Sequence, residues 1–315
     1  MEKNSGFIIL LSVVLLFLIF FLELFPAEGV SKVNEAPSFE TTVLGPFNLN
    51  LLKNDVTLVI GGDVMLGRSV LTKADRLKDY SYPLSNLAST FILADMVFVN
   101  LEAPFYDNCP RTDSGMIFCT DHKMVEGLTS SGVNVVSLAN NHIANYGQEG
   151  ISQTQKLLTE NEIIWTGMGE FAQLEVEGLK FGFLGFDLLT NKLTDLDLKL
   201  ITSSKESVDV LVVGVHWGAE YQEKPSDRQK KWAKQMVEAG ADVVAGHHPH
   251  WVQSMEYVDE KPVFYSLGNL VFDQMWSEET KKGELGMLTY SSGKLVKIEE
   301  KKIYIKEIGT PEFAD

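Results

Sequence analysis

At 315 residues the chain is long enough for one large domain or two small ones, and 45% hydrophobic against 22% charged residues excludes wholesale disorder and a polytopic membrane protein. Twenty-seven Lys and Arg against 43 Asp and Glu give a formal charge of −16. That acidity weighs against nucleic acid or an anionic membrane surface as a general partner, and it repels a polyanionic substrate unless bound cations reverse the sign locally.

The first element is an apolar run over residues 6–22, interrupted only by Ser12. Its length is near the lower end of a bilayer-spanning helix. Lys3 and the N-terminal amine precede it, which favours the N-terminus inside and the remainder outside. A cleaved signal peptide with Ala27 near the cleavage point is the competing reading, although no clean A-x-A pattern is present there. Residues 1–25 are therefore expected to be an anchor or signal segment, and on either reading the rest of the chain is exported. Residues 26–54 contain Pro26, Pro37, Gly45 and Pro46 without sustained periodicity and read as a linker. Residues 55–315 are expected to form the globular domain.

From Asp55 the chain alternates strand-like and helix-like segments. Residues 57–60 run into Gly61-Gly62-Asp63, and residues 96–99 run into Asn100-Leu101-Glu102. Cys109 and Cys119 then flank a Pro- and Gly-containing loop, and in an exported protein they read as a disulfide. Residues 133–138 lead into Ala139-Asn140-Asn141-His142, and residues 210–215 into His216-Trp217-Gly218. Residues 242–245 lead into Gly246-His247-His248-Pro249-His250, and residues 262–266 into Leu267-Gly268-Asn269. Apolar residues at helical spacing predict helices over 148–161 and 227–239. Together these predict an α/β domain. Residues 181–186 and 295–308 are richer in strand signals and suggest a second sheet.

The chemistry lies at the strand ends, where the apolar runs give way to Asp63, Glu102, Asn141-His142, His216, and His248 with His250. Carboxyl ends of strands in α/β sheets are where ligand sites assemble. Taken singly, each residue has an ordinary reading. An Asp after Gly-Gly caps a turn, Asn-Asn-His caps another, Glu102 pairs with Arg68, and a His after an apolar strand is a hydrogen-bonded core residue. Three imidazoles in His247-His248-Pro249-His250 suit Zn, Mn or Fe and rarely serve packing. His122, in Thr120-Asp121-His122-Lys123, reads as a surface residue outside the pattern.

These motifs, with His216-Trp217-Gly218-Ala219-Glu220 and the longer run from Gly62 to Arg68, resemble the CapA family of capsule or poly-γ-glutamate synthesis proteins, related to calcineurin-like metallophosphoesterases. The resemblance covers roughly residues 55 to 275 and implies a four-layer αββα sandwich with a divalent-metal site of one or two ions at the sheet edge. By this resemblance Asp63, Glu102, Asn141, His216, His248 and His250 are ligands. His216 and His248 share one ion, and His250 joins Asp63 at the other. His142 and Glu220 are general acid/base candidates, while His247, Asn100 and Asn269 are further ligands or groups that orient them. Spacing leaves open whether His247 or His248 is the ligand. Two departures from the superfamily bear on activity. Met65 stands where a His ligand is usual, and thioether sulfur suits hard divalent ions poorly. Asn-Leu-Glu replaces the motif of the bridging Asp.

The resulting expectation is a membrane-anchored extracytoplasmic metal-dependent hydrolase or transferase serving capsule or poly-γ-glutamate synthesis, with an anionic polymer or phosphoester as substrate. One alternative is a non-catalytic accessory subunit of a membrane polymer synthesis or export complex. The other is an extracellular phosphoesterase unrelated to capsule.

Overall fold

The computed structural model describes residues 55–314. The expected anchor or signal segment and the linker lie outside the described residues. Among the described residues no helix is long and apolar enough to cross a membrane.

In chain order the strands are β1 (Val56–Val64), β2 (Met96–Leu101), β3 (Val135–Ser137), β4 (Ile164–Thr166), β5 (Ala172–Val176), β6 (Leu179–Asp187) and β7 (Val210–His216). They continue with β8 (Val243–His247), β9 (Val252–Val258), β10 (Lys261–Leu267), β11 (Asn269–Val271), β12 (Lys282–Ser291), β13 (Lys294–Glu307) and β14 (Thr310–Phe313). The four longer helices are α1 (Arg68–Leu77), α2 (Gly147–Glu160), α3 (Asp195–Lys205) and α4 (Asp227–Ala239). Their ends have local causes. Ser226 and Gln229 form a capping box at the start of α4, Thr194 and Asp197 form another at α3, and Gly240 closes α4.

One sheet runs β14-β13-β12-β1-β2-β3-β4, with β11 also paired to β1, and the other runs β5-β6-β7-β8-β10-β9. The strands from β1 to β4 are parallel, as are β6, β7, β8 and β10. Strand alternation then sorts side chains into layers. Leu58, Ile60, Met96 and Phe98 turn toward Phe181, Phe183, Val212 and Ala245 of the other sheet. The intervening Val59, Val97 and Val99 pack with Val70, Leu71 and Ala74 of α1 and Leu158 of α2. Leu211, Val213 and Val215 pack outward with Ile201 of α3 and Trp232, Ala233 and Met236 of α4. Helices therefore cover the outer face of each sheet, giving the expected α/β layering.

The two helices predicted over 148–161 and 227–239 are present as α2 and α4. The second sheet is also present and contains β6. Residues 295–308, whose strand character suggests that second sheet, instead extend the first. There β13 forms a long antiparallel hairpin with β12, which pairs with β1. Strand propensity is legible in that segment, but the partner is fixed by the hairpin turn.

Candidate metal centre

Because β1, β2, β3, β7 and β8 are parallel within their sheets, their carboxyl ends fall along one edge. Asp63 of β1 is in register with Asn100 of β2 and with Asn269 of β11, while His216 of β7 faces His247 of β8. The Gly-Gly before Asp63 has a steric cause. A Cβ on Gly62 would lie 2.0 Å from the carbonyl oxygen of Gly268. Glycine lets β1 pass the β10–β11 turn closely enough for the Asp63 N–H to donate to that oxygen at 2.9 Å.

Two groups of side chains come within ligand reach. Asp63, Glu102 and His216 form one, and Glu220, His248 and His250 form the other, with the ligand-capable atoms of each lying within 4.8 Å of one another. The resemblance instead groups His216 with His248 and His250 with Asp63. Those pairs are also close, at 4.8 Å between ring centroids and 3.3 Å from His250 Nδ1 to Asp63 Oδ2. Glu220, expected as an acid/base candidate, lies among potential ligands.

The amides hold this arrangement. Asn100 Nδ2 donates to Asp63 Oδ1 at 2.8 Å and to Glu102 Oε1 at 3.2 Å, and lies 3.4 Å from His216 Nδ1. Asn140 Nδ2 donates to Asn100 Oδ1 at 3.2 Å. Asn141 Oδ1 accepts from His216 Nε2 at 2.9 Å, and Asn141 Nδ2 is 3.2 Å from His142 Nε2. His142 Nδ1 donates to Asn145 Oδ1 at 3.1 Å, and Phe118 stacks on its ring at 3.9 Å. His250 Nδ1 donates to Asn269 Oδ1 at 2.9 Å, which leaves Nε2 as the ring atom open to a ligand. The His248 N–H donates to Asp63 Oδ2 at 3.2 Å. His247 Nδ1 is 3.4 Å from Asp63 Oδ1. His248 at φ 96° and His250 at φ 58° occupy positive-φ backbone that non-glycine residues seldom adopt.

Do these residues fit a cation? Asp63 and Glu102 are fully buried, and among the described residues their ion-pair partners are imidazoles alone. Glu102 Oε2 and both ring nitrogens of His247 are buried with no hydrogen-bond partner. Burial pushes the Glu102 carboxyl well above its ordinary range, and the Asp63 charge adds to that. Burial would raise Asp63 too, but the contacts to His247 and His250 outweigh it and hold this group well below. For His250, burial is outweighed by Glu102, Asp63 and Glu220, which raise it to about 9. Burial and then the neighbouring imidazoles lower His216, and burial with His250 lowers His248 to about 4. His216 and His248 are held neutral as ligands must be, while His250 keeps a proton that a divalent ion would displace, and that ion would draw Glu102 into its charged form. The residues fit the group.

Met65 lies apart from this set. Its sulfur accepts from the Gly67 N–H at 3.1 Å, and the side chain is buried in the core beneath α1. Arg68 does not pair with Glu102. Its guanidinium instead forms a salt bridge to Asp273, donates to the Gly115 carbonyl at 2.8 Å, and lies over the Phe118 ring at 4.6 Å. Asp273 is long-range in sequence, which is why spacing points to the nearer acid. Cys109 and Cys119 are joined as a disulfide, which closes the loop that carries Gly115 and Phe118 to the site. His122, by contrast, lies outside the cluster but is half-buried rather than on the open surface, with Nδ1 3.3 Å from Asp107 Oδ1 and its ring edge-on to Phe105.

The model of the bacterial capsule synthesis protein family PGA_cap matches residues 57–274. The chain belongs to this family. Among relatives, the capsule biosynthesis protein CapA of Bacillus anthracis is 33% identical over 253 residues, covering 70% of this chain and 61% of that protein. The PGA biosynthesis protein CapA of Bacillus subtilis strain 168 is 31% identical over 245 residues, covering 69% and 63%. This chain therefore spans under two thirds of the length of those relatives. A hypothetical protein from Thermus thermophilus shares the fold, with a TM-score of 0.52 at 16% identity, over 78% of this chain and 98% of that one.

In this chain the strand ends of that fold bring the candidate ligands together. The sequence motifs name the clustered Asp, Glu, Asn and His residues. They do not name Asn145, Phe118 or Tyr221, which meet the site through the loops. The i, i+3 spacing of His142 and Asn145 in a turn is the one local signal for the first of these.

Proposed function

We propose that this protein is a metal-dependent hydrolase or transferase that acts on a phosphoester or an anionic polymer in capsule or poly-γ-glutamate synthesis. On this reading it is held at the outer face of the membrane by residues 1–25. The observation that carries the proposal is the convergence of two ligand-capable triads at buried Asp63 and Glu102, the latter with Oε2 unpartnered. The names of the two Bacillus relatives support the capsule setting.

Asp63, Glu102 and His216 would hold one divalent ion, Zn, Mn or Fe, with Asn141 Oδ1 beside it, and Glu220, His248 and His250 would hold a second. A bound ion supplies Lewis-acid polarisation of a phosphoryl or carboxyl oxygen, and with it the attraction for anions that a chain of charge −16 lacks. Asn100 keeps the Asp63 and Glu102 carboxylates in one orientation. Asn145 holds the proton of His142 on Nδ1, so Nε2 is the acceptor; the Asn141 amide donates to it at 3.2 Å, and it would take up a proton only when that amide yields to substrate. Phe118 covers one face of that imidazole and excludes water from it. A cleft of about 840 Å3 opens beside Asn140, between the ends of β3 and β6, and none of the candidate ligands lines it.

A second reading draws on Met65, whose sulfur is committed to the Gly67 N–H. A site short of one usual ligand suits an accessory subunit of a membrane polymer synthesis complex, in which the ion would bind the polymer without cleaving or transferring it. A His216→Ala variant tests the enzymatic reading in cells lacking the native copy. The enzymatic reading expects polymer output to collapse while the protein level holds. Normal output from a variant that no longer binds metal would sink it.

A further inference from the structure

Glu220 lies half-buried in the loop between β7 and α4, while His248 and His250, its companions in the second triad, lie in the turn between β8 and β9. A carboxylate on a loop keeps a fixed place beside two imidazoles only if the loop itself is held. Ahead of Glu220 the chain is pinned at Trp217, whose backbone N–H donates to the His247 carbonyl at 3.1 Å and whose indole N–H donates to the Tyr265 carbonyl at 2.9 Å. Just beyond it the Tyr221 N–H donates to the Pro249 carbonyl at 2.8 Å. The rest of the loop closes on two amide side chains, Gln229 and Gln253, which are 1% and 3% exposed.

Gln253 stands on β9, the strand that leaves the histidine turn. Its Nε2 donates to the Gln222 carbonyl at 2.9 Å and to the Lys224 carbonyl at 3.2 Å, and its Oε1 accepts from Gln229 Nε2 at 2.9 Å. Gln229 Oε1 accepts from the Ser226 N–H at 2.9 Å and from its hydroxyl at 3.0 Å, within the capping box of α4. A Cβ on Gly218 would lie 3.0 Å from the Gln229 amide, so glycine, at φ 86°, takes the chain past it toward Glu220. A helix cap needs Gln229 to reach Ser226 and no further. The added bonds tie the Glu220 loop to the strand that follows His250. We infer that Gln253 and Gln229 are positioning residues for the ion held by Glu220, His248 and His250. The inference rests on the metal-centre reading and concerns the second ion alone, because Asn100 and Asn141 brace the Asp63, Glu102 and His216 group instead. It also bears on which ion binds. Glu220 is the one carboxylate of its triad, and a carboxylate suits Mn2+ where imidazoles alone suit Zn2+.

Mn2+ is titrated calorimetrically into metal-free full-length protein and into its Asp63→Ala, Glu220→Ala and Gln253→Met variants. The first two variants identify which binding event depends on which carboxylate. Gln253→Met keeps the length of the side chain and removes its hydrogen bonds. It is expected to weaken the Glu220-dependent event roughly tenfold, to leave the Asp63-dependent event unchanged, and to cost Zn2+ less than Mn2+. Added to Glu220→Ala, it is expected to cost nothing further, because it acts through that carboxylate. Gln229→Glu retains the capping box and loses the donor to Gln253, so it reproduces the loss even where Gln253→Met does not fold. Unchanged Mn2+ affinity in a folded variant, equal weakening of both events, or a further loss in the double variant overturns the inference and leaves the metal centre standing. A wild type in which no event depends on Glu220 alone overturns it together with the second ion. A wild type that binds no ion overturns the metal reading itself.

Discussion

Opening the Cys109–Cys119 bridge tests how the loop between the cysteines supports the site. The cysteines are separated by 10 residues, and both side chains are buried. Closing a loop of that length removes about 9 cal/mol/K of entropy from the unfolded chain, or about 2.7 kcal/mol at 25 °C. The double variant Cys109→Ser/Cys119→Ser should therefore unfold at a lower urea concentration by about that free energy, with an unchanged dependence on denaturant if the unfolded chain is equally open. Oxidised and reduced wild type provide the internal comparison, and reduced wild type should match the variant. The loop also carries Phe118, whose N–H donates to Asn145 Oδ1 at 2.6 Å and whose ring stacks on His142. Opening the bridge should thus speed amide exchange at Phe118 and broaden the His142 ring resonances. Unfolding curves that coincide within about 0.5 kcal/mol, with Phe118 still protected, would refute the reasoning.

Gly62→Ala drives a methyl group to 2.0 Å from the Gly268 carbonyl oxygen, backbone against backbone. It should lower stability by about 3 kcal/mol or abolish folding, read by thermal denaturation; a wild-type melting temperature would contradict the close approach. Asn269→Ala removes the acceptor that fixes His250 Nδ1, and should weaken metal binding roughly 10- to 100-fold by calorimetry. Unchanged affinity would show that His250 is oriented by Asp63 alone. Burial, then the neighbouring Glu300, raises Glu284 to about 8. An acid raised on folding binds its proton in the native state, so its contribution is full below about pH 4.5 and is lost as pH rises through about 8. The urea midpoint should fall across that window, and Glu284→Gln should flatten the slope. An equal slope in the variant would contradict the assignment.

The range over which each interaction acts decides how legible it is in the sequence. Strands such as residues 210–215 are apolar on both faces because helices cover one side and the facing sheet the other, so their runs announce buried parallel strands. The residue after each run then falls at a carboxyl edge, which is why Asp63, Glu102, His216 and His248 are identifiable one at a time. Their grouping is not. Glu220 comes after β7 in a loop whose path depends on the positive φ of Gly218 and Tyr221 and on the Pro249 contact. Arg68 illustrates the same limit, since its acid lies 205 residues away. The strand over residues 295–308 is visible, but its sheet is decided by pairing with β12.

The most direct test of the metal centre is elemental analysis of the full-length protein purified without chelator, beside Asp63→Ala and His216→Ala variants prepared identically. The account predicts one to two equivalents of Zn, Mn or Fe per chain, lost in both variants, which remain folded by circular dichroism. A wild-type chain that carries no stoichiometric metal, even after reconstitution with each ion, would contradict it.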